Sequence, residues 1–342
     1  MAKVQQFASP AETARNGFVP PEILFGCTDE MLRVRRTIER VAGVRVPVLI
    51  RGESGSGKEL LAAYLHRIAP WCDKPLVKVN CAAIPGPLLE SELFGYEKGS
   101  FTGAYNSRPG KFESAEGGTM VLDEIAEIDS GLQAKLLQVL QDGCFSRIGD
   151  LEERRADVRI VSISNKDVEA EIARGTFRED LYYRINVVNV QLPPLRRRLE
   201  DVPGLVEYFL RHYSERFGRA TQPLPATILE RFQQHQWPGN VRELENYVKR
   251  FVILDSPESI IEELDERGRG PVSGGFQLPP IREFSLKKFA KRASQQAERY
   301  MILEALKQTR WNRKRAAEML GISYRALLYK IKEAGLPPKK RS

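Results

Sequence analysis

The chain has 342 residues with 42% hydrophobic content, which predicts two or three globular domains. No run reaches the roughly 20 apolar residues of a membrane-spanning helix, and the N-terminus lacks a signal-peptide core, so a cytoplasmic protein without membrane contact is expected. The net charge of +8 is uneven, because residues 286–342 alone carry 16 Lys and Arg against 4 Asp and Glu. This basic excess indicates a polyanionic partner, with a solvated tail as the alternative.

Hydrophobic periodicity divides the chain into successive segments. Residues 1–21 are polar and predict a short disordered segment. In residues 22–192, short apolar runs alternate with helical segments, which is typical of a parallel α/β sheet with buried strands. Residues 193–264 predict a small helical lid. The Gly-, Pro- and charge-rich residues 265–285 predict a flexible linker, and residues 286–342 predict a basic, all-helical module.

A glycine-rich turn lies between the strand predicted at 46–50 and a following helix, which is the setting of a phosphate-binding loop. Its backbone N–H groups are expected to surround the phosphates of ATP, and Lys58 is expected to reach the β and γ oxygens. The general pattern has Ser or Thr after the lysine as a Mg²⁺ ligand, where this chain has Glu59. The residues predicted to bind ATP here are Gly52, Glu53, Ser54, Gly55, Ser56, Gly57, Lys58 and Glu59.

An acidic pair ends the strand predicted at 118–123, at the sheet edge where α/β proteins bind ligands. Asp123 is predicted to hold Mg²⁺, and Glu124 is predicted to polarise the water that attacks the γ-phosphate. The alternative is a solvated acidic strand end, against which the phosphate loop argues. The two motifs together predict ATP hydrolysis.

Seven motifs occur in order: GESGSGKE, VNCAAIP, ELFGYEKGSFTGAY, GGTMVLDEI, FREDLYYRINV, LPPLRRRLEDVP and WPGNVRELEN. Through them, residues 22–264 resemble the AAA+ domain of bacterial enhancer-binding proteins, the activators of sigma-54 RNA polymerase. The run ELFGYEKGSFTGAY is the discriminating one, because other AAA+ branches lack it and in this family it tips a surface loop that grips the sigma factor. The resemblance implies sigma-54 contact through Gly99, Ser100, Phe101, Thr102, Gly103 and Ala104. Ser100 replaces the family's Ala and adds a hydroxyl to a loop that must bend and re-extend.

The resemblance also implies roles for single residues around the nucleotide. Asn80 resembles the switch residue that holds Glu124 away from water, with a strand-end cap as the alternative. Ser164 and Asn165 stand at the position of the first sensor, and Arg242 resembles the lid arginine that senses the bound phosphates.

Two arginines of FREDLYYR, Arg178 and Arg184, resemble the residues that reach the γ-phosphate of a neighbouring protomer. A guanidinium in that position stabilises charge that develops in the transition state. The resemblance therefore implies a homo-oligomer, a hexameric ring. A surface ion pair with Glu179 or Asp180 is the alternative for either arginine.

The C-terminal segment predicts three helices, of which the last two are joined across LGIS with helix-turn-helix spacing. It resembles the Fis-type module of the same family, which implies dimers on palindromic double-stranded DNA. The start of the third helix is expected to face base edges, and other basic residues the phosphates. The predicted DNA contacts are Arg313, Ser323, Tyr324, Arg325, Tyr329 and Lys330, with a solvated helix face as the alternative.

Together with these patterns, the resemblance implies a transcription activator that binds an upstream enhancer and uses ATP and Mg²⁺ to remodel the closed sigma-54 polymerase complex into the open complex. Two other classes stay open: an AAA+ chaperone or unfoldase, and a repressor whose nucleotide only controls assembly. GSFTGA and the basic module argue against the first. Phe101, Thr102, Glu124 and the two arginines argue against the second. Since the chain begins almost at the ATPase, an N-terminal regulatory domain is not expected. Control by a separate protein or by expression level is expected instead.

Overall fold

A computed structural model describes residues 19–101, 104–220, 223–255, 257, 260–261, 264, 309, 312–319, 321–322 and 324–327. The chain divides into two compact units, Met1–Ile261 and Glu262–Ser342. Among the described residues, none of the helices combines the length and apolar character needed to cross a bilayer.

In the described part of the first unit, nine strands form three sheets. They are β1 (Val48–Arg51), β2 (Leu76–Asn80), β3 (Gly95–Tyr96), β4 (Arg108–Pro109), β5 (Thr119–Asp123), β6 (Cys144–Phe145), β7 (Arg154–Arg155), β8 (Arg159–Ser164) and β9 (Val188–Gln191). The main sheet is parallel and has the order β2-β5-β8-β1-β9, whereas β3 with β4 and β6 with β7 form short antiparallel pairs. The predicted parallel α/β fold is confirmed.

Eleven helices of the first unit are described. They are α1 (Pro21–Phe25), α2 (Asp29–Val41), α3 (Lys58–Arg67), α4 (Gly86–Phe94), α5 (Lys111–Ser114), α6 (Ser130–Asp142), α7 (Val168–Ala173), α8 (Glu179–Ile185), α9 (Val202–Phe217), α10 (Ala226–Gln234) and α11 (Asn240–Leu254). The last three follow the sheet and form the predicted helical lid. Their core is aromatic, with Trp237 fully buried and its Nε1 donating to the carbonyl of Phe232 at 2.9 Å.

The main sheet is buried on both faces. Successive residues of β1 enter different clusters: Leu49 packs with residues of α4, α6 and α8, and Val48 and Ile50 pack with residues of α1, α2 and α3. Successive side chains of a strand point to opposite faces, so a run of apolar residues is needed to fill both cores.

The carboxyl ends of the parallel strands meet at one edge and bring distant polar residues together. Asn80 pairs with Asp123 across β2 and β5, and Arg51 pairs with Ser164 across β1 and β8. The next backbone group along the chain, the N–H of Gly52, donates to the carbonyl of Ser164 at 3.3 Å. The loops that leave this edge carry the candidate site.

In the second unit, the structure describes α12 (Arg313–Met319) and helical residues 324–327. Gly321 lies between them at a φ of +65°, a conformation that glycine adopts at little cost. Ala316, Ala317 and Leu327 are buried. The predicted linker, 265–285, lies outside the described residues.

Candidate nucleotide-binding site

The glycine-rich turn joins β1 to α3 at the carboxyl edge of the main sheet. Gly57 has a φ of +105° and immediately precedes α3, so the helix begins at Lys58. The ammonium of Lys58 is buried and donates to the carbonyls of Gly52 at 2.8 Å and Glu53 at 3.0 Å. Burial lowers the pKa of Lys58, and the nearby Glu124 and Asp123 oppose that shift. A buried cation and a helix N-terminus at one loop create a site suited to an anion.

The acidic pair lies at the end of β5, half-buried. Asp123 Oδ1 accepts a hydrogen bond from the backbone N–H of Glu124 at 3.1 Å. Burial raises the pKa of both carboxyls, and Glu59 raises that of Asp123 further. Crowded carboxylates of this kind are stabilised by a cation. Within the described part of the chain, no group of three or more His, Cys, Asp or Glu residues is arranged to hold a metal ion.

Glu124 is held by the predicted first sensor. Its Oε2 accepts a hydrogen bond from the backbone N–H of Asn165 at 3.3 Å, and Glu124 has a φ of +55°, which is uncommon for a residue with a side chain. Asn80 instead accepts, through Oδ1, the N–H groups of Ala82 and Ala83, both at 3.0 Å. In this conformation Asn80 caps the end of β2, the alternative that its sequence position left open.

The lid contacts the phosphate loop directly. Arg242 donates from Nη1 to Ser54 Oγ at 3.2 Å and from its backbone N–H to the carbonyl of Gly55 at 3.3 Å. The buried Arg198 donates from Nη2 to the carbonyl of Ser56 at 2.8 Å. Arg242 therefore lies on the loop where the phosphates are predicted to bind.

The carboxylate of Glu53 is turned toward the lid side of the loop. It accepts hydrogen bonds from Arg196 Nη1 at 2.7 Å and Asn240 Nδ2 at 3.2 Å. The Arg196 guanidinium, with a smaller effect of Asn240, lowers the pKa of Glu53 to about 2. Asn240 and Arg196 were not found from the sequence, since they lie 187 and 143 residues from Glu53.

The two arginines of α8 and its N-cap are exposed. Arg178 forms a two-pronged ion pair with Asp180, with its Nε 3.0 Å from Oδ1 and its Nη2 2.6 Å from Oδ2. Arg184 donates from Nε to the carbonyl of Leu140 at 2.8 Å. Both guanidiniums are held by groups of the same chain, and Arg178 forms the ion pair with Asp180 that the sequence left open as the alternative.

The GSFTGA loop extends from the β3–β4 pair. Gly99, at a φ of +85°, donates its N–H to the carbonyl of Ala104 at 2.9 Å, and the hydroxyl of Ser100 donates to the carbonyl of Glu97 at 2.7 Å. The additional hydroxyl therefore stabilises the turn. Phe101 remains 43% exposed although its ring packs edge-on against another aromatic ring at 5.0 Å. Thr102 and Gly103 lie outside the described residues.

An ionic network supports the base of this loop. Arg147 donates from Nη1 to Glu97 Oε1 at 2.8 Å and from Nη2 to Glu113 Oε2 at 2.6 Å. Glu97 also donates its backbone N–H to the carbonyl of Ile148 at 3.0 Å. The loop thus rests on the segment between β6 and β7.

Three family models match consecutive parts of the chain. Residues 24–191 match the sigma-54 interaction domain, residues 196–266 an AAA+ ATPase lid domain, and residues 295–333 the bacterial regulatory protein of the Fis family. The regulatory protein AtoC of Escherichia coli K12 is 44% identical over 311 residues, which cover 90% of this chain and 67% of that protein. The chain belongs to the sigma-54-dependent transcriptional activators.

Two further matches support this family assignment. A Nif-specific regulatory protein of Azotobacter vinelandii is 43% identical over 320 residues, covering 93% of this chain and 60% of that protein. The crystal structure of NtrX from Brucella abortus in complex with ADP matches with a TM-score of 0.72 and 34% identity, covering 95% of this chain and 71% of that one. The chain thus spans 67% of the length of AtoC and 60% of the length of the Nif-specific regulator. Its sigma-54 interaction domain and lid form an AAA+ ATPase.

In this activator, the described part of the helix-turn-helix presents polar and basic side chains. Tyr324 and Arg325 are exposed, and Arg313 is half-buried at the start of α12. Asn312 precedes that helix and accepts, through Oδ1, the N–H of Arg315 at 3.3 Å. Three of the predicted DNA contacts, Ser323, Tyr329 and Lys330, lie outside the described residues.

Proposed function

We propose that this activator assembles into a hexameric ring, hydrolyses MgATP between protomers, and uses the GSFTGA loop to remodel a closed sigma-54 polymerase complex at a promoter. The convergence of Lys58, Asp123, Glu124 and Arg242 around one loop carries the proposal. The family models and the complexes of NtrX with ADP and with ATP support it.

ATP binding is assigned to the phosphate loop. Backbone N–H groups of the loop and the N-terminus of α3 face the phosphates, and the ammonium of Lys58 exchanges the carbonyls of Gly52 and Glu53 for phosphate oxygens. Asp123 holds Mg²⁺, which when bound neutralises charge on the phosphates. Glu124 lies beside Asp123 and orients and polarises the attacking water. Asn165 fixes the carboxylate of Glu124 through its N–H group.

Arg178 and Arg184 complete the site of the adjacent protomer. Both are exposed, and the pairs with Asp180 and Leu140 that they form within one chain are replaced by γ-phosphate contacts in the ring. Because the arginines act in trans, ATP turnover requires assembly and rises with protein concentration.

The GSFTGA loop is assigned to sigma-54. Phe101 is exposed at its tip, and Thr102 is the adjacent contact that the motif implies. The hydrogen bonds of Gly99 and Ser100 give the loop a folded form, which hydrolysis is proposed to exchange for an extended one.

The Fis-type module is assigned to double-stranded DNA upstream of the promoter, where dimers recognise a palindromic site. Arg313, Tyr324 and Arg325 are the described side chains proposed to contact DNA. Its net positive charge supports phosphate contacts that weaken as salt increases.

The test is sigma-54 binding by the full-length protein, measured by native gel shift with ADP and aluminium fluoride, with ADP alone, and without nucleotide. The proposal expects a complex only with the transition-state mimic, and none for Thr102→Ala. Equal binding under all three conditions would refute nucleotide-dependent engagement.

A further inference from the structure

The lid and the phosphate loop meet with almost no space between their backbones. A Cβ added to Gly55, which has a φ of +75°, would lie 2.4 Å from the carbonyl oxygen of Gly239 and 3.1 Å from the Cβ of Arg242. Such distances leave no room for a side chain at position 55. The beginning of α11, which carries Arg242, is therefore seated on the loop itself.

One side chain joins this helix to two other segments. Asn240 donates from Nδ2 to the carbonyl of Ser54 at 3.0 Å and to Glu53 Oε2 at 3.2 Å, and its Oδ1 accepts the N–H of Leu195 at 2.8 Å. Asn240 is fully buried and has a φ of +54°, which asparagine tolerates better than most residues. Both ends of the amide are thus used, and no other side chain has this set of donors and acceptor in the same shape.

Arg196 holds Glu53, one of the three hydrogen-bond partners of Asn240, in place. Its guanidinium holds the carboxylate of Glu53 in a two-pronged ion pair, beside the Nδ2 of Asn240. Without Arg196, Glu53 would add an unpaired negative charge to a loop that binds a polyanion. The pair therefore both orients Glu53 and offsets its charge.

We propose that Asn240 is a positioning residue that fixes α11 on the phosphate loop, so that Arg242 faces the γ-phosphate and distinguishes ATP from ADP. Glu53 and Arg196 assist by holding the amide of Asn240. This inference rests on the proposed nucleotide site but not on hydrolysis or on sigma-54.

The effect of Asn240 on the preference for ATP should therefore depend on the presence of Arg242. A residue that only stabilised the lid would weaken both nucleotides alike, whatever stood at position 242. A residue that positions Arg242 alters the preference for ATP, and it alters nothing further once Arg242 is absent.

The experiment uses full-length protein with fluorescent mant-ATP and mant-ADP in Mg²⁺, and measures the ratio of the two dissociation constants. Asn240→Gly keeps the positive φ and removes the amide. It is expected to reduce the preference for ATP by about tenfold, the worth of one hydrogen bond to a charged group. Arg242→Ala should reduce it as much, and the double variant no further. Exposed Asn246 on the same helix supplies the matched control, Asn246→Asp, which should retain the ratio.

Arg196→Gln changes an exposed side chain and keeps the test valid if Asn240→Gly does not fold. It should shift the ratio in the same direction by a smaller factor. The inference is overturned if the two reductions multiply in the double variant, if both Asn240→Gly and Arg196→Gln keep the ratio, or if the unsubstituted protein has no preference. The unsubstituted protein could also prefer ATP and hydrolyse none, while the variants lose that preference. This result would contradict the proposed function and still support the placement of Arg242.

Discussion

Replacement of Arg178 by Ala tests the proposed trans-acting arginine with little cost to the fold. Within its own protomer the guanidinium pairs with Asp180, and both side chains are 46% exposed. Exposed ion pairs of this kind contribute little to stability. The thermal unfolding midpoint of the variant should therefore stay close to that of the unsubstituted protein.

The effect on turnover should be far larger. A guanidinium that stabilises the γ-phosphate in the transition state changes the rate by about 10³ to 10⁵ in comparable nucleotide hydrolases. Steady-state phosphate release by the variant at saturating ATP should fall by a factor approaching this range. The dissociation constant for mant-ATP should change little. Arg174→Ala is the matched control, because Arg174 is an exposed arginine paired with Glu171 at 2.6 Å and has no proposed role.

Mixing the Arg178→Ala and Lys58→Ala variants tests the same arginine in a second way. Lys58→Ala protomers still carry Arg178, and Arg178→Ala protomers still bind ATP, so mixed rings should regain part of the lost turnover. A rate of Arg178→Ala within about tenfold of the unsubstituted protein would contradict the trans-acting role. A variant that is unfolded at the assay temperature would also contradict it.

Substitutions in the phosphate loop and the sigma-54 contact, and the pH dependence of the general base, test the other assignments. Lys58→Ala should abolish mant-ATP binding, whereas Thr102→Ala should keep the ATPase rate and lose open-complex formation; equal loss of ATPase in both would contradict this division. Gly55→Ala should weaken mant-ATP binding, because its Cβ would lie 2.4 Å from the Gly239 carbonyl oxygen; unchanged affinity would show that the lid can move away without cost. Burial raises the pKa of Glu124, and only its ionised form can act as a base. The turnover rate should therefore fall with acidification at a pH above the ordinary glutamate range, and a pH–rate profile that is flat down to that range would contradict the assignment.

The strands of the main sheet were predictable because buried parallel strands leave continuous apolar runs. The strand predicted at 118–123 is observed as Thr119–Asp123. The run predicted at 46–50 is observed as Val48–Arg51, two residues later. Pro47 has no N–H group to donate to a neighbouring strand, and the polar Arg51 extends the strand by pairing with Ser164.

The chemistry of the site was predictable where its residues adjoin one another in the sequence. Lys58 follows its glycines directly, and Asp123 and Glu124 end one strand. The contacts of Glu53 with Arg196 and Asn240 depend on how the lid folds back over the loop, and no spacing in the sequence encodes that approach. Glu53 is predicted to bind ATP as part of the loop, and its carboxylate contacts Arg196 and Asn240 on the lid side.

ATP hydrolysis by this chain is proposed to drive the opening of a promoter by sigma-54 polymerase. The direct measurement is permanganate footprinting of open complexes on a fully duplex sigma-54 promoter, with purified full-length protein and sigma-54 polymerase. Reactive thymines are expected with ATP, none with ADP or a non-hydrolysable analogue, and none with Glu124→Gln. DNA binding without promoter opening, at any protein concentration and in the presence of ATP, would contradict it.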